Sequence, residues 1–136
     1  MTSLVTYLGE LRTSSEHIQS GTKILSDAPT DNHGKGEAFS PTDLLANALG
    51  SCMISIMAIK SKDLELNLEG STVEVTKFMQ SEPRKIAKIG IVMNISIEVS
   101  DKNKIILERT AMNCPVLLSL NPDIEKDIVI NWKKAP

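Results

Sequence analysis

The chain has 136 residues, 41% of them hydrophobic, which suits one domain (residues 1–136) built around a single core. A formal net charge of −2 gives no general attraction to nucleic acid, and 3% aromatic content leaves almost nothing for bases to stack on. The N-terminus lacks a basic start followed by an apolar stretch, and the most apolar run, Leu44 to Ile59, is interrupted by Asn47, Ser51 and Ser55, so a soluble cytoplasmic protein with no membrane partner is expected.

In chain order, Leu4 to Leu8 reads as a strand ending at Gly9-Glu10, and Arg12 opens a second strand towards His17-Ile18. A third short strand is expected from Thr22 to Leu25. Ser26 to Phe39 carries Asp27, Pro29, Asp31, Asn32, Gly34 and Gly36, which is loop chemistry at a length that tends to be functional. Its Gly34-Lys35-Gly36 has neither the glycine spacing of a phosphate loop nor a Ser/Thr after the lysine, so a solvated surface loop is expected.

Ser40, Pro41 and Asp43 then spell a helix start: an N-cap hydroxyl, a proline at the first helical position, and an acid at the third, facing unpaired backbone donors. From Leu44 to Ile59 the helix is apolar nearly all round, so one amphipathic face does not account for it. Central burial is expected, with a sheet on one side and a second helix or a second subunit on the other. Thr72 to Phe78 alternates as a half-exposed strand, Glu82 to Lys85 makes a turn, and Ile89 to Val99 is a long alternating strand. Asp101 is expected to cap a helix ending near Asn113, and Ile128 to Trp132 closes the chain as a strand. No repeat or linker interrupts this single α+β unit.

The two cysteines fall in different helix signals, Cys52 about three turns into the apolar helix and Cys114 just before Pro115. A residue before proline is pushed out of the helical region while proline opens a helix, so Cys114 sits at a break where backbone donors favour a thiolate. Cys52 has no such help, and its activation requires a cation from elsewhere. Without further context, either cysteine could simply fill the core.

Ser40-Pro41-Thr42-Asp43-Leu44-Leu45, then Ala48-Leu49-Gly50-Ser51-Cys52-Met53, then Asn113-Cys114-Pro115-Val116 resembles the OsmC/Ohr family of thiol peroxidases in motif and in order. The resemblance implies an α+β fold with antiparallel sheets packed around a long central apolar helix, in an intertwined homodimer whose reactive cysteines lie at the subunit interface. It implies that Cys52 is the peroxidatic nucleophile and Cys114 the resolving thiol, with no metal or flavin. Arg12, the only arginine before Arg84, fits by position the arginine that holds the first cysteine as thiolate, the alternative being an exposed strand-edge cation. The family's peroxide-reducing branches carry a glutamate directly after the proline; here that place is Thr42, with the acid one residue later as Asp43, as in more divergent OsmC-like branches.

Asp43 and Cys52 are nine residues apart, which at about 100° per residue puts them on opposite faces of one helix. Asp43 therefore either binds Arg12 across the interface or acts only as the capping-box acid. Apolar walls from Leu49, Met53 and Ile56 would favour organic or fatty-acyl hydroperoxides as substrate. The resemblance suggests a dithiol or lipoyl-protein as reductant. Three further readings stand beside the peroxidase: a non-catalytic apolar-ligand binding module on the same fold and, with little in the spacing to support them, a metal site of Cys52, Cys114, His17 and His33 and a Cys-His hydrolase using His17.

Overall fold

The computed structural model describes all of residues 1–136. Two compact units share the chain, Met1–Leu45 and Ala46–Pro136.

The first unit is an antiparallel meander of β1 (Ser3–Gly9), β2 (Arg12–His17) and β3 (Lys23–Asp27). Gly9, Glu10 and Leu11 all take positive φ (85°, 52° and 62°), so the β1–β2 hairpin turns in the left-handed region that matches strand twist. Strand β3 reaches two residues beyond its expected end. That extension pairs Arg12 with Asp27 across the β2–β3 ladder. The loop that follows holds one turn of 3-10 helix, Thr30–Asn32. It folds back tightly on β3, since a Cβ at Gly34 would sit 1.7 Å from the Ala28 carbonyl oxygen. Val5, Tyr7 and Leu8 of β1 are each more than half exposed.

Helix α1 (Pro41–Asp63) begins as its sequence directs. The Asp43 N–H donates to Ser40 Oγ at 3.0 Å and the Ser40 N–H donates back to Asp43 Oδ2 at 3.0 Å, a closed capping box.

The second unit takes in most of α1 and adds β4 (Thr72–Gln80), β5 (Lys85–Asn94), α2 (Asp101–Ala111), α3 (Pro115–Ser119) and β6 (Glu125–Asn131). Its sheet runs β4-β5-β6 and corrects the expectation of antiparallel sheets throughout. Strand β6 lies parallel to β5 because the chain between them crosses over through α2 and α3. Strand β5 also stops at Asn94, short of Val99. Beyond it the Ser96 N–H donates to Ser71 Oγ at 2.9 Å and Ser96 Oγ to the Glu69 carbonyl at 2.9 Å, local bonds that replace the ladder. Ser100, one residue before the expected Asp101, caps α2 by accepting from the Asn103 N–H.

One stripe of α1 (Ala46, Leu49, Gly50, Met53, Met57 and Ser61) is buried together with Ile89, Ile91 and Met93 of β5 and Leu107 and Ala111 of α2. Each large apolar side chain in that core contributes roughly 1.5–3 kcal/mol. Gly50 permits the close approach, for a Cβ there would lie 2.7 Å from Val75 Cγ2 and 3.1 Å from Val73 Cγ1. Burial all round α1 does not occur within this chain: Ile59 is 63% exposed and Leu45 43%. The helix is long and apolar enough by length and composition to cross a membrane, and 28% of its apolar window is buried within this chain.

Candidate active site

Both thiols belong to the second unit, and they meet there. Cys52 sits half-buried on α1, while Cys114 is fully buried at the N-cap of α3, with extended backbone (φ −69°, ψ 144°) and Pro115 behind it. Both are free thiols, and Cys52 packs against the core that buries Cys114, near enough to influence its ionisation. The proline explains the placement, because it denies Cys114 the helical conformation and starts a helix whose first donors turn towards sulfur. The Leu117 N–H reaches Cys114 Sγ at 3.3 Å.

These donors do favour a thiolate at Cys114, as the sequence suggests, but its surroundings outweigh them. Burial is the larger influence and pushes the Cys114 thiol up, the neighbouring Cys52 pushes it further, and the Leu117 and Val116 N–H groups only partly oppose them. Cys114 is thus held as S–H beside a more accessible Cys52. That asymmetry suits a pair in which the exposed sulfur reacts first and the buried one follows.

Arg12 lies in the first unit, where it is no lone strand-edge cation. Its Nε donates to Asp27 Oδ1 at 2.7 Å and its Nη2 to Asp27 Oδ2 at 2.8 Å, a side-on bidentate pair. Nη2 also donates to Glu37 Oε2 at 3.1 Å. Asp27 is buried and Glu37 mostly exposed. The Glu37 N–H closes the cluster by donating to Asp27 Oδ2 at 3.1 Å. The Arg12 hydrogen bonds hold the Asp27 carboxyl below the usual carboxylate range. Lys35, read from sequence as a solvated loop cation, pairs with Glu10 of the hairpin turn. Asp43 meets Ser40 in the capping box, and the carboxylates on Arg12 are Asp27 and Glu37.

Sequence reading named Arg12 but missed both of these acids. The available signal was register: pairing His17 with Thr22 across the β2–β3 turn puts Arg12 opposite Asp27 if β3 runs two residues further.

Residues 34–128 match the model of the OsmC-like protein family. This chain belongs to that family. No curated protein matches it. Among solved structures, a protein of Psychrobacter arcticus 273-4, provisionally described as an osmotic stress induced and detoxification response protein, is 50% identical to this OsmC-like chain. The match covers 96% of this chain and 95% of that one, with a TM-score of 0.93. The organic hydroperoxide resistance protein OsmC of Legionella pneumophila is 18% identical, covering 96% and 97% of the two chains with a TM-score of 0.71. An OsmC-like protein of Mycoplasma pneumoniae is 13% identical, covering 97% and 96% with a TM-score of 0.80. The last two likenesses establish the OsmC-like α+β fold, with its two small sheets and central helix.

Proposed function

We propose that this OsmC-like protein is a thiol-dependent peroxidase for organic hydroperoxides, including fatty-acyl ones, acting in oxidative-stress defence. The observation that carries the reading is the placement of a half-buried Cys52 beside a buried Cys114 at the N-cap of α3. The family membership and the names of its structural neighbours support the same chemistry.

In this reading the Cys52 thiolate attacks the outer oxygen of R–O–O–H, the O–O bond breaks, and RO⁻ leaves to take a proton and depart as the alcohol. Cys52 is left as sulfenic acid. The Cys114 thiol then displaces hydroxide from it, which leaves as water with the thiol's proton, and a Cys52–Cys114 disulfide forms. A dithiol, free or on a lipoyl-protein, reduces that bond and is itself oxidised to a disulfide. Thiol chemistry suffices for each step, with no metal or flavin. Arg12 is the cation assigned to the Cys52 thiolate, and Asp43 closes the capping box that starts the helix carrying Cys52.

The working assembly in this reading is a homodimer. Its support is the apolar surface this chain leaves open, including Val5, Tyr7, Leu8 and Ile59.

The test is peptide mapping after one equivalent of tert-butyl hydroperoxide. A Cys52–Cys114 linked peptide is expected in wild type, and a persistent sulfenic acid on Cys52 in Cys114→Ser. Wild-type protein that keeps both thiols, or oxidises them without linking them, would exclude the two-thiol peroxidase and leave apolar-ligand binding as the function of the fold.

A further inference from the structure

We infer that Asp27, with Glu37 in support, is the positioning residue for Arg12 in this peroxidase. The inference rests on the proposed reaction and deepens it.

A guanidinium has five N–H donors in a rigid planar fork. Asp27 engages the Nε donor and one donor of Nη2, and Glu37 engages Nη2 as well. This arrangement pins one edge of the plane and leaves the Nη1 donors for another anion. A single-bonded arginine would swing about its side-chain torsions; a side-on bidentate pair removes that freedom. Asp27 can act as a fixed point because it is itself fixed. Its side chain is fully buried, its backbone N–H donates to the Phe39 carbonyl at 3.1 Å, and its Oδ2 accepts the Glu37 N–H. The β2–β3 register delivers it opposite Arg12 without help from any loop.

Charge counting identifies what kind of effect this is. Arg12 and Lys35 face Glu10, Asp27 and Glu37 in the same cluster, two cations against three carboxylates. Such a group exerts no net positive field on a distant thiolate. Arg12 can favour an anion only through short, directed donors, and directed donors depend on orientation.

The experiment compares wild type, Arg12→Ala, Asp27→Asn and Asp27→Glu in the full-length protein. Two readouts are taken: the stopped-flow rate of the first oxidation by tert-butyl hydroperoxide, and the pH at which alkylation of Cys52, located by peptide mass, reaches half its maximal rate. Asp27→Asn is expected to slow oxidation at least about tenfold, since small misplacements at a reacting centre cost up to roughly a hundredfold. It should also move the alkylation midpoint to higher pH, in the same direction as Arg12→Ala. Asp27→Glu is expected to restore part of both.

If Arg12→Ala itself leaves rate and midpoint unchanged, Arg12 is not in the site and the proposed function loses its cation. If Arg12→Ala is slow while Asp27→Asn behaves as wild type, the reaction stands and the role of Asp27 is overturned. Should Asp27→Asn fail to fold, Glu37→Gln removes one bond to Arg12 from an exposed partner, and a midpoint and rate unmoved in that variant overturn the inference equally.

Discussion

At the scale of single residues, the environment of Cys114 makes stability depend on pH in a defined direction. Its thiol is pushed above the ordinary value of 9.0, chiefly by burial, so the folded state holds the proton more tightly than the unfolded chain does. The stability this contributes is fully present below the ordinary thiol value and is lost as pH rises through the higher folded value. Urea midpoints of the reduced protein should therefore fall on raising the pH above about 9, and the fall should be shallower in Cys114→Ser, which has no thiol to ionise there. Equal slopes in the two proteins would mean that Cys114 ionisation does not limit alkaline stability. In the proposed reaction, the thiol that acts second is the one kept out of solvent.

At the scale of elements, local grammar was legible wherever a side chain bonds to nearby backbone. The Ser40-Pro41-Asp43 start of α1 and the Cys114-Pro115 start of α3 both fold as read, because a cap and a proline act over three or four residues. The Cys52 and Cys114 pair was legible only by resemblance, since sixty-odd residues of chain separate them. Reading failed where partners are distant. The alternation from Ile95 to Val99 continues that of β5, yet Ser96 exchanges bonds with Ser71 and Glu69, a competition invisible to periodicity. The parallel direction of β6 depends on a crossover, which no local pattern encodes. Asp27 was assigned to loop because its residue type suits turns, while its ladder partner decides otherwise. Gly50 is a further case, read as part of a motif when its structural task is clearance. Gly50→Ala would gain up to about 1 kcal/mol of helix propensity but press a methyl against two β-branched side chains, an overpacking that costs about 1–3 kcal/mol. A net loss of roughly 1 kcal/mol is expected in equilibrium urea unfolding, and a stabilised variant would show that β4 moves aside freely.

At the scale of the whole molecule, the distribution of apolar surface is the strongest argument about assembly. The core of the second unit uses one stripe of α1, whereas Ile59 on the same helix is 63% exposed and Tyr7 on β1 equally so. Scattered exposed apolar residues need no explanation, but these come from a helix with no polar face and from a strand exposed along most of its length. A second copy of the chain is the occupant proposed for both, with an interface larger than the roughly 2,000 Å² at which obligate dimers begin. Ile59→Glu separates the alternatives. In an isolated chain, a charge at so exposed a position should change stability by no more than about 0.5 kcal/mol and leave sedimentation unaltered. In a dimer that buries Ile59, the same charge must be desolvated without a partner, so the variant should sediment as a monomer at micromolar concentration where wild type sediments as a dimer. A wild-type monomer by analytical ultracentrifugation would refute the assembly outright. It would also remove the support that the proposed active site draws from a second subunit.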